Sequence, residues 1–83
     1  MKIRVRYFAS LREALGADEF VDMAVGASAS AVRDHLLARS GRYAEVLARG
    51  RAVRCAVNQT MADESTPLAD GDELAFFPPV TGG

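Results

Sequence analysis

Two adjacent prolines near the end of the chain, Pro78 and Pro79, divide it into a part that can fold and a part that cannot. Each fixes φ and lacks an N–H, so a sheet ladder must stop before them and the neighbouring backbone is held extended. A packed body is therefore expected over residues 1–77, followed by a tail over 78–83 that can reach up to about 20 Å. A body this small lies near the lower size limit for folding alone, so its elements must share one core.

Within the body the hydrophobic pattern changes period several times. Lys2 to Phe8 alternates, with Ile3, Val5 and Tyr7 on one face and Lys2, Arg4 and Arg6 on the other, as in a strand with one buried and one wet side. Ser10-Leu11-Arg12-Glu13 has the form of a capping box and predicts a short helix through Leu15, stopped at Gly16. Phe20 to Val25 alternates again, with Val21, Met23 and Val25 in phase, and predicts a second strand antiparallel to the first. Ser28 or Ser30 is expected to cap a longer helix with Val32, Leu36 and Leu37 as its apolar stripe, Arg33, Asp34 and Arg39 outside, and Gly41 at its end.

A brief helical segment from Arg42 to Arg49, stopping at Gly50, is expected next, then a third strand from Val53 to Asn58. Thr60 to Pro67 is a polar loop carrying a short strand, and Asp70-Gly71-Asp72 is a tight turn that launches the last strand, Glu73 to Phe77. The pattern is α+β, a small mixed sheet with one main helix packed across it. With the first and last strands as parallel central neighbours it becomes a β-grasp, the ubiquitin-like fold. The pattern alone does not settle that pairing, and a fold alone supplies no function.

Composition removes several classes of function. Ten Lys and Arg against eleven Asp and Glu give a net charge of −1, which argues against a general nucleic-acid binder. Arg39, Arg42, Arg49, Arg51 and Arg54 crowd the middle of the chain and read as a solvated face, with an anion- or partner-docking patch as the alternative. Cys55 is alone, which excludes an intrachain disulfide and a cysteine metal cluster. Alternating with Val53 and Val57, it is expected to be a buried small hydrophobe, the alternative being a thiol that relays sulfur. His35, the only histidine, falls within the expected main helix, so neither a nucleophilic triad nor a zinc site is expected.

Asp70, Asp72 and Glu73 lack the spacing of a calcium loop, and no glycine-rich loop carries a phosphate-binding lysine. No signal peptide and no membrane-spanning run is apparent, so a soluble, cytoplasmic protein without a metal or bound cofactor is expected. The part shaped for chemistry is the tail. Gly82 and Gly83 have no side chains and can enter a channel closed to other residues, although an ordinary frayed terminus is the alternative. A reaction at Gly83 needs catalytic groups from another protein.

Four runs carry a likeness to a known family: Tyr7-Phe8-Ala9 leading into Leu11-Arg12-Glu13, then Val57-Asn58-Gln59-Thr60, then Pro67-Leu68-Ala69-Asp70-Gly71-Asp72-Glu73, and finally Phe76-Phe77-Pro78-Pro79-Val80-Thr81-Gly82-Gly83. Through them the chain resembles the small, sulfur-carrying subunits of molybdopterin synthases, which are ubiquitin-like sulfur carriers with a β-grasp fold. Between Asp18 and Arg51 the likeness is one of pattern only. A terminal carboxyl titrates near about 3.5, so Gly83 is a carboxylate at neutral pH and a poor electrophile. The resemblance implies that a separate adenylating enzyme, similar to ubiquitin-activating enzymes, spends ATP on Gly83, and that sulfur then displaces AMP to leave a thiocarboxylate. It implies further that the loaded tail enters the large synthase subunit and gives its sulfur to a cyclic pyranopterin phosphate precursor, building the dithiolene of molybdopterin. Two small subunits on a dimer of large ones, a heterotetramer, is the arrangement implied.

Residue roles follow from the same resemblance. Gly83 carries the sulfur and Gly82 keeps the passage slim, while Pro78, Pro79, Val80 and Thr81 make a stiff stem that lowers the ordering entropy of threading. Phe8, Phe76 and Phe77 are candidates for the docking surface. Phe76, in phase with Leu74, is expected in the core, and Phe77 on the partner face. Arg12 is a candidate for an ion pair across the interface, with a solvated helix arginine as the alternative. Three rival readings stand beside this one: a thiamin-pathway sulfur carrier, a protein modifier joined through Gly83 to lysines, and a plain binding module. Lys2 is the only lysine, so branched chains of a modifier are largely excluded.

Overall fold

The alternation at the start of the chain becomes the strand β1 (Lys2–Tyr7), with Ile3, Val5 and Tyr7 buried and the arginines turned outward. The computed structural model describes residues 1–79. After β1 come α1 (Ala9–Leu15), β2 (Asp18–Asp22), α2 (Ala29–Leu37), α3 (Arg42–Leu47), β3 (Arg54–Val57), β4 (Thr60–Ala62) and β5 (Glu73–Phe77). The five strands form one sheet in the order β2-β1-β5-β3-β4. β1 runs parallel to β5, with Tyr7 opposite Phe76, and every other neighbouring pair is antiparallel. The first and last strands are thus the neighbours that a β-grasp requires, and β5 holds the centre of the sheet.

The helices cover one face of this sheet. Leu11, Ala29, Val32, Leu36 and Leu47 meet Ile3, Val5, Tyr7, Val21, Cys55, Leu74 and Phe76 in one buried cluster, closed at one side by Leu68. Full burial of a side chain such as Phe76 contributes about 1.5–3 kcal/mol, so this layer holds the small body together. Ser28 caps α2, its Oγ accepting the amide of Ala31 at 3.2 Å.

The Asp-Gly-Asp turn forms as expected and ties the start of β5 to the start of β1. Gly71 has φ +86°, which favours glycine, and its amide donates to the Lys2 carbonyl at 2.8 Å. The amide of Lys2 donates to Asp70 Oδ1, and that of Arg4 to the Asp72 carbonyl. Asn58 and Gln59 both have positive φ and make the two-residue turn of a β3–β4 hairpin. The Asn58 side chain then bridges to the other turn, donating to Asp72 Oδ1 and accepting the Glu73 amide, both at 3.0 Å.

Several expectations are corrected by the structure. Ser10 does not cap α1, because the helix has already begun at Ala9 and Phe8 occupies the cap position without a side-chain bond. The second strand is shifted towards its start, Asp18–Asp22 in place of Phe20–Val25, because its register places Asp22 opposite Lys2, where β1 begins. Beyond it Met23 and Met1 exchange bonds, the Met23 amide donating to the Met1 carbonyl and the terminal ammonium to the Met23 carbonyl, and Val25 is 92% exposed in the turn that follows. The main helix ends at Leu37, and Gly41 instead stands at the start of α3. α3 in turn ends at Leu47 rather than Arg49, and β3 is shorter at both ends than Val53 to Asn58.

The largest correction concerns Arg33, which was expected outside and is 3% exposed. Its guanidinium donates to the carbonyls of Leu47 at 2.7 Å, Ala48 at 2.6 Å and Arg51 at 3.1 Å, and pairs with Glu64 at 2.8 Å. The carbonyls freed where α3 stops are therefore satisfied by a side chain of α2. A buried arginine is tolerated because each of its nitrogens has a partner.

Candidate functional site

β5 delivers the chain to Pro78 at the centre of the sheet, so the surroundings of its last residues are the natural place to look for a site. Phe77 lies opposite Arg54 of β3, and Phe76 lies opposite both Cys55 of β3 and Tyr7 of β1. Because successive strand residues point to opposite faces, Phe76 and Leu74 enter the core whereas Phe77 and Ala75 look out on the helix-free face. Phe76 is wholly buried and Phe77 is half-buried, in keeping with the division read from the sequence.

The outward face around Phe77 is built from small and apolar residues with cations at the rim. Ala75 and Ala56 are paired on β5 and β3, and Met61 of β4, 56% exposed, is paired with Ala56. Arg6 and Arg54 flank β5 from β1 and β3. Arg6 stacks over the Phe8 ring, 5.2 Å from its centroid, and stands 3.6 Å from Glu73. Phe8 itself is 37% exposed, and its amide donates to the Phe76 carbonyl at 3.2 Å. Phe8, Phe77 and the start of the tail are thereby brought together at one end of the sheet. Arg12 is exposed on α1, one turn from Phe8, with no ion pair among the described residues. Pro78 and Pro79 follow, each partly buried, and Val80, Thr81, Gly82 and Gly83 lie outside the described residues.

Met61, Arg6 and the two alanines were not foreseen at this face, and Arg54 was foreseen only as one of a run of arginines read as a solvated face with docking as the alternative. The signal of the first four in the sequence was phase within a strand, and that acquires meaning only once β4 and β3 are placed beside β5.

The other candidate centres do not assemble. Cys55 is buried with its Sγ bonded to the Ala62 carbonyl at 3.2 Å, and burial together with the charges of Glu64 and Asp63 pushes its thiol upward, away from the thiolate. A shallow groove of about 250 Å³ between Val53, Arg54 and Met61 to Glu64 is smaller than ordinary ligand pockets. Among the described residues no three of His, Cys, Asp or Glu are placed to hold a metal, and His35 is exposed on α2. Of the crowded arginines, Arg39 pairs with Glu19 and Arg49 with Asp34 and Glu64, whereas Arg42, Arg51 and Arg54 are exposed with no ion pair among the described residues. No helix of the described residues is long and apolar enough to cross a membrane.

A small mixed sheet whose central last strand carries the chain out beside an apolar, arginine-rimmed face defines a ubiquitin-like β-grasp protein. The chain belongs to the ThiS family, whose model matches residues 5–83. It is 47% identical to the molybdopterin synthase sulfur carrier subunit of Escherichia coli, over 98% of this chain and 99% of the relative. Among solved structures, the complex of subunits 1 and 2 of molybdopterin-converting factor from Helicobacter pylori contains a chain 27% identical, with full coverage of both and a TM-score of 0.70. Small archaeal modifier protein 1 of H. volcanii is similar at 27% identity and a TM-score of 0.79, over 95% of this chain and 98% of that one. The chain has the sulfur-carrier role of the molybdopterin synthase pathway.

Proposed function

We propose that Gly83 is the sulfur-bearing group and that this chain is the sulfur-donating small subunit of a molybdopterin synthase. A ubiquitin-activating-like enzyme joins the Gly83 carboxylate to AMP from ATP, releasing pyrophosphate, and sulfur then displaces AMP to leave a thiocarboxylate. The large synthase subunit receives the tail, and the sulfur passes to the cyclic pyranopterin phosphate precursor while Gly83 returns to a carboxylate with oxygen from water. A dithiolene has two sulfurs, so two loadings are needed for each product. ATP acts at the activating partner, and this chain binds no cofactor of its own. Activation and transfer take place in the cytoplasm.

The observation that carries this reading is the nearly end-to-end likeness, at 47% identity, to the E. coli carrier subunit, joined to a central strand that leads into the Pro-Pro stem. Phe8, Phe77 and Met61, with Arg6, Arg54 and Arg12 at the edge, dock the large subunit, in an assembly of two small subunits on a dimer of large ones. Support comes from the two-subunit complex of the H. pylori relative. Incubation with ATP, the activating enzyme and a sulfur donor should raise the intact mass by the exchange of one oxygen for sulfur, located on Gly83. A chain extended by one residue beyond Gly83 should gain nothing, and an active extended chain would overturn the reading. The likeness to an archaeal modifier favours a second reading, attachment through Gly83 to lysines of other proteins. Isopeptide-linked adducts in cell extract would be its signature.

A further inference from the structure

The passage from β1 to α1 runs through one residue in an unusual conformation. Ala9 has φ +54°, in the left-handed region that L-residues enter only under strain, and it is exposed, so no packed methyl compensates. Its neighbour Phe8 is extended, at φ −130° and ψ 157°. Phe8 is held from several sides: its amide by the Phe76 carbonyl and its ring by the Arg6 guanidinium. Its carbonyl accepts the amides of Leu11 at 3.1 Å and Arg12 at 3.4 Å. Leu11 is buried in the core, so the chain must turn within two residues of Phe8, and the turn falls on Ala9.

We propose that Ala9 is a positioning residue. Its left-handed backbone, restricted by a Cβ, fixes Phe8 and Arg12 beside the strand that emits the tail, so that the docking face is formed before any partner arrives. Glycine would adopt the same φ without strain, but it would also be free to leave it. A face that is already ordered loses less entropy on binding. The proposal rests on the docking role given to Phe8 above.

The test is Ala9→Gly in the full chain, read in three ways: thermal midpoint, amide exchange at Phe8, Leu11 and Arg12, and affinity for the large synthase subunit. The midpoint should be no lower than that of the wild type, because strain is relieved. Exchange at the three amides should quicken. Affinity should fall about two- to fivefold, the factor that corresponds to a glycine's extra backbone freedom. Ala9→Asn, which tolerates the left-handed region and keeps a Cβ, should restore both exchange and affinity. A lower midpoint for Ala9→Gly, or exchange and binding equal to wild type, would overturn the proposal. If exchange quickens as expected but the wild type itself does not bind the large subunit, the positioning stands and the docking reading falls.

Discussion

At the scale of single residues, the number of partners and their burial rank the polar contacts. The Arg33 guanidinium makes four hydrogen bonds with almost no exposure, whereas Arg4 and Asp18 form an ion pair of 2.7 Å with both partners well exposed. An exposed pair contributes about 0–1 kcal/mol, and breaking a buried one costs about 3–5 kcal/mol. Glu64 keeps Arg49 as a second partner, which places Arg33 at the low end of that range. Arg33→Leu should therefore destabilise by about 3 kcal/mol in urea unfolding, and Arg4→Ala by less than about 1 kcal/mol. Equal losses would mean that the Arg33 charge is solvated. The sequence hid this role for a physical reason. A charge on a helix is read as a wet face, and the carbonyls that make its burial tolerable belong to the end of another helix, fourteen and more residues away.

Between elements, one carboxylate joins parts distant in sequence. Glu19 on β2 accepts from Tyr7 of β1 at 2.8 Å and Tyr43 of α3 at 2.7 Å, and pairs with Arg39 just beyond α2. Burial alone would raise this carboxyl, but the bonds from Arg39, Tyr43 and Tyr7 outweigh it and hold it below the ordinary glutamate range. Burial, then the bond to Glu19, push the Tyr7 phenol well above its usual value, so it remains a donor. A carboxylate depressed in the folded state contributes stability that is present above its unfolded value and lost as pH falls through the folded one. Wild type should thus be more stable than Glu19→Gln at neutral pH, and the two should converge as pH falls below about 4. Urea midpoints across that range decide, and parallel curves would sink the prediction. Asp72 acts with the same sign, lowered by the Ala69 amide and by Asn58. The strands themselves were legible because alternation marks β1 and the phase of Val53, Cys55 and Val57 marks β3, while the Asp70-Gly71-Asp72 turn announces the apolar run of β5. Their ends were not: where β2 stops depends on where β1 begins, and the start of α1 depends on the backbone of Ala9 more than on the capping box at Ser10.

For the whole molecule, the sheet order decides which side chains share a surface. Phe77 could be assigned outward from its phase with Phe76, but Met61 lay in a polar loop until β4 was placed at the edge of the sheet. Met61→Asp should leave the fold intact, since its side chain is mostly exposed, and should weaken binding to the large subunit about tenfold or more, the effect of losing an interface anchor. Val25→Asp, at a still more exposed position remote from the tail base, should change binding little; titration calorimetry with the two variants compares them. The central place of β5 also has a mechanical meaning. Tension on the tail runs along the strand axis, while the hydrogen bonds to β1 and β3 cross it from both sides. The rungs are loaded together in shear, not peeled one by one, so the tail can be drawn out of a tight channel without unravelling the body that holds it.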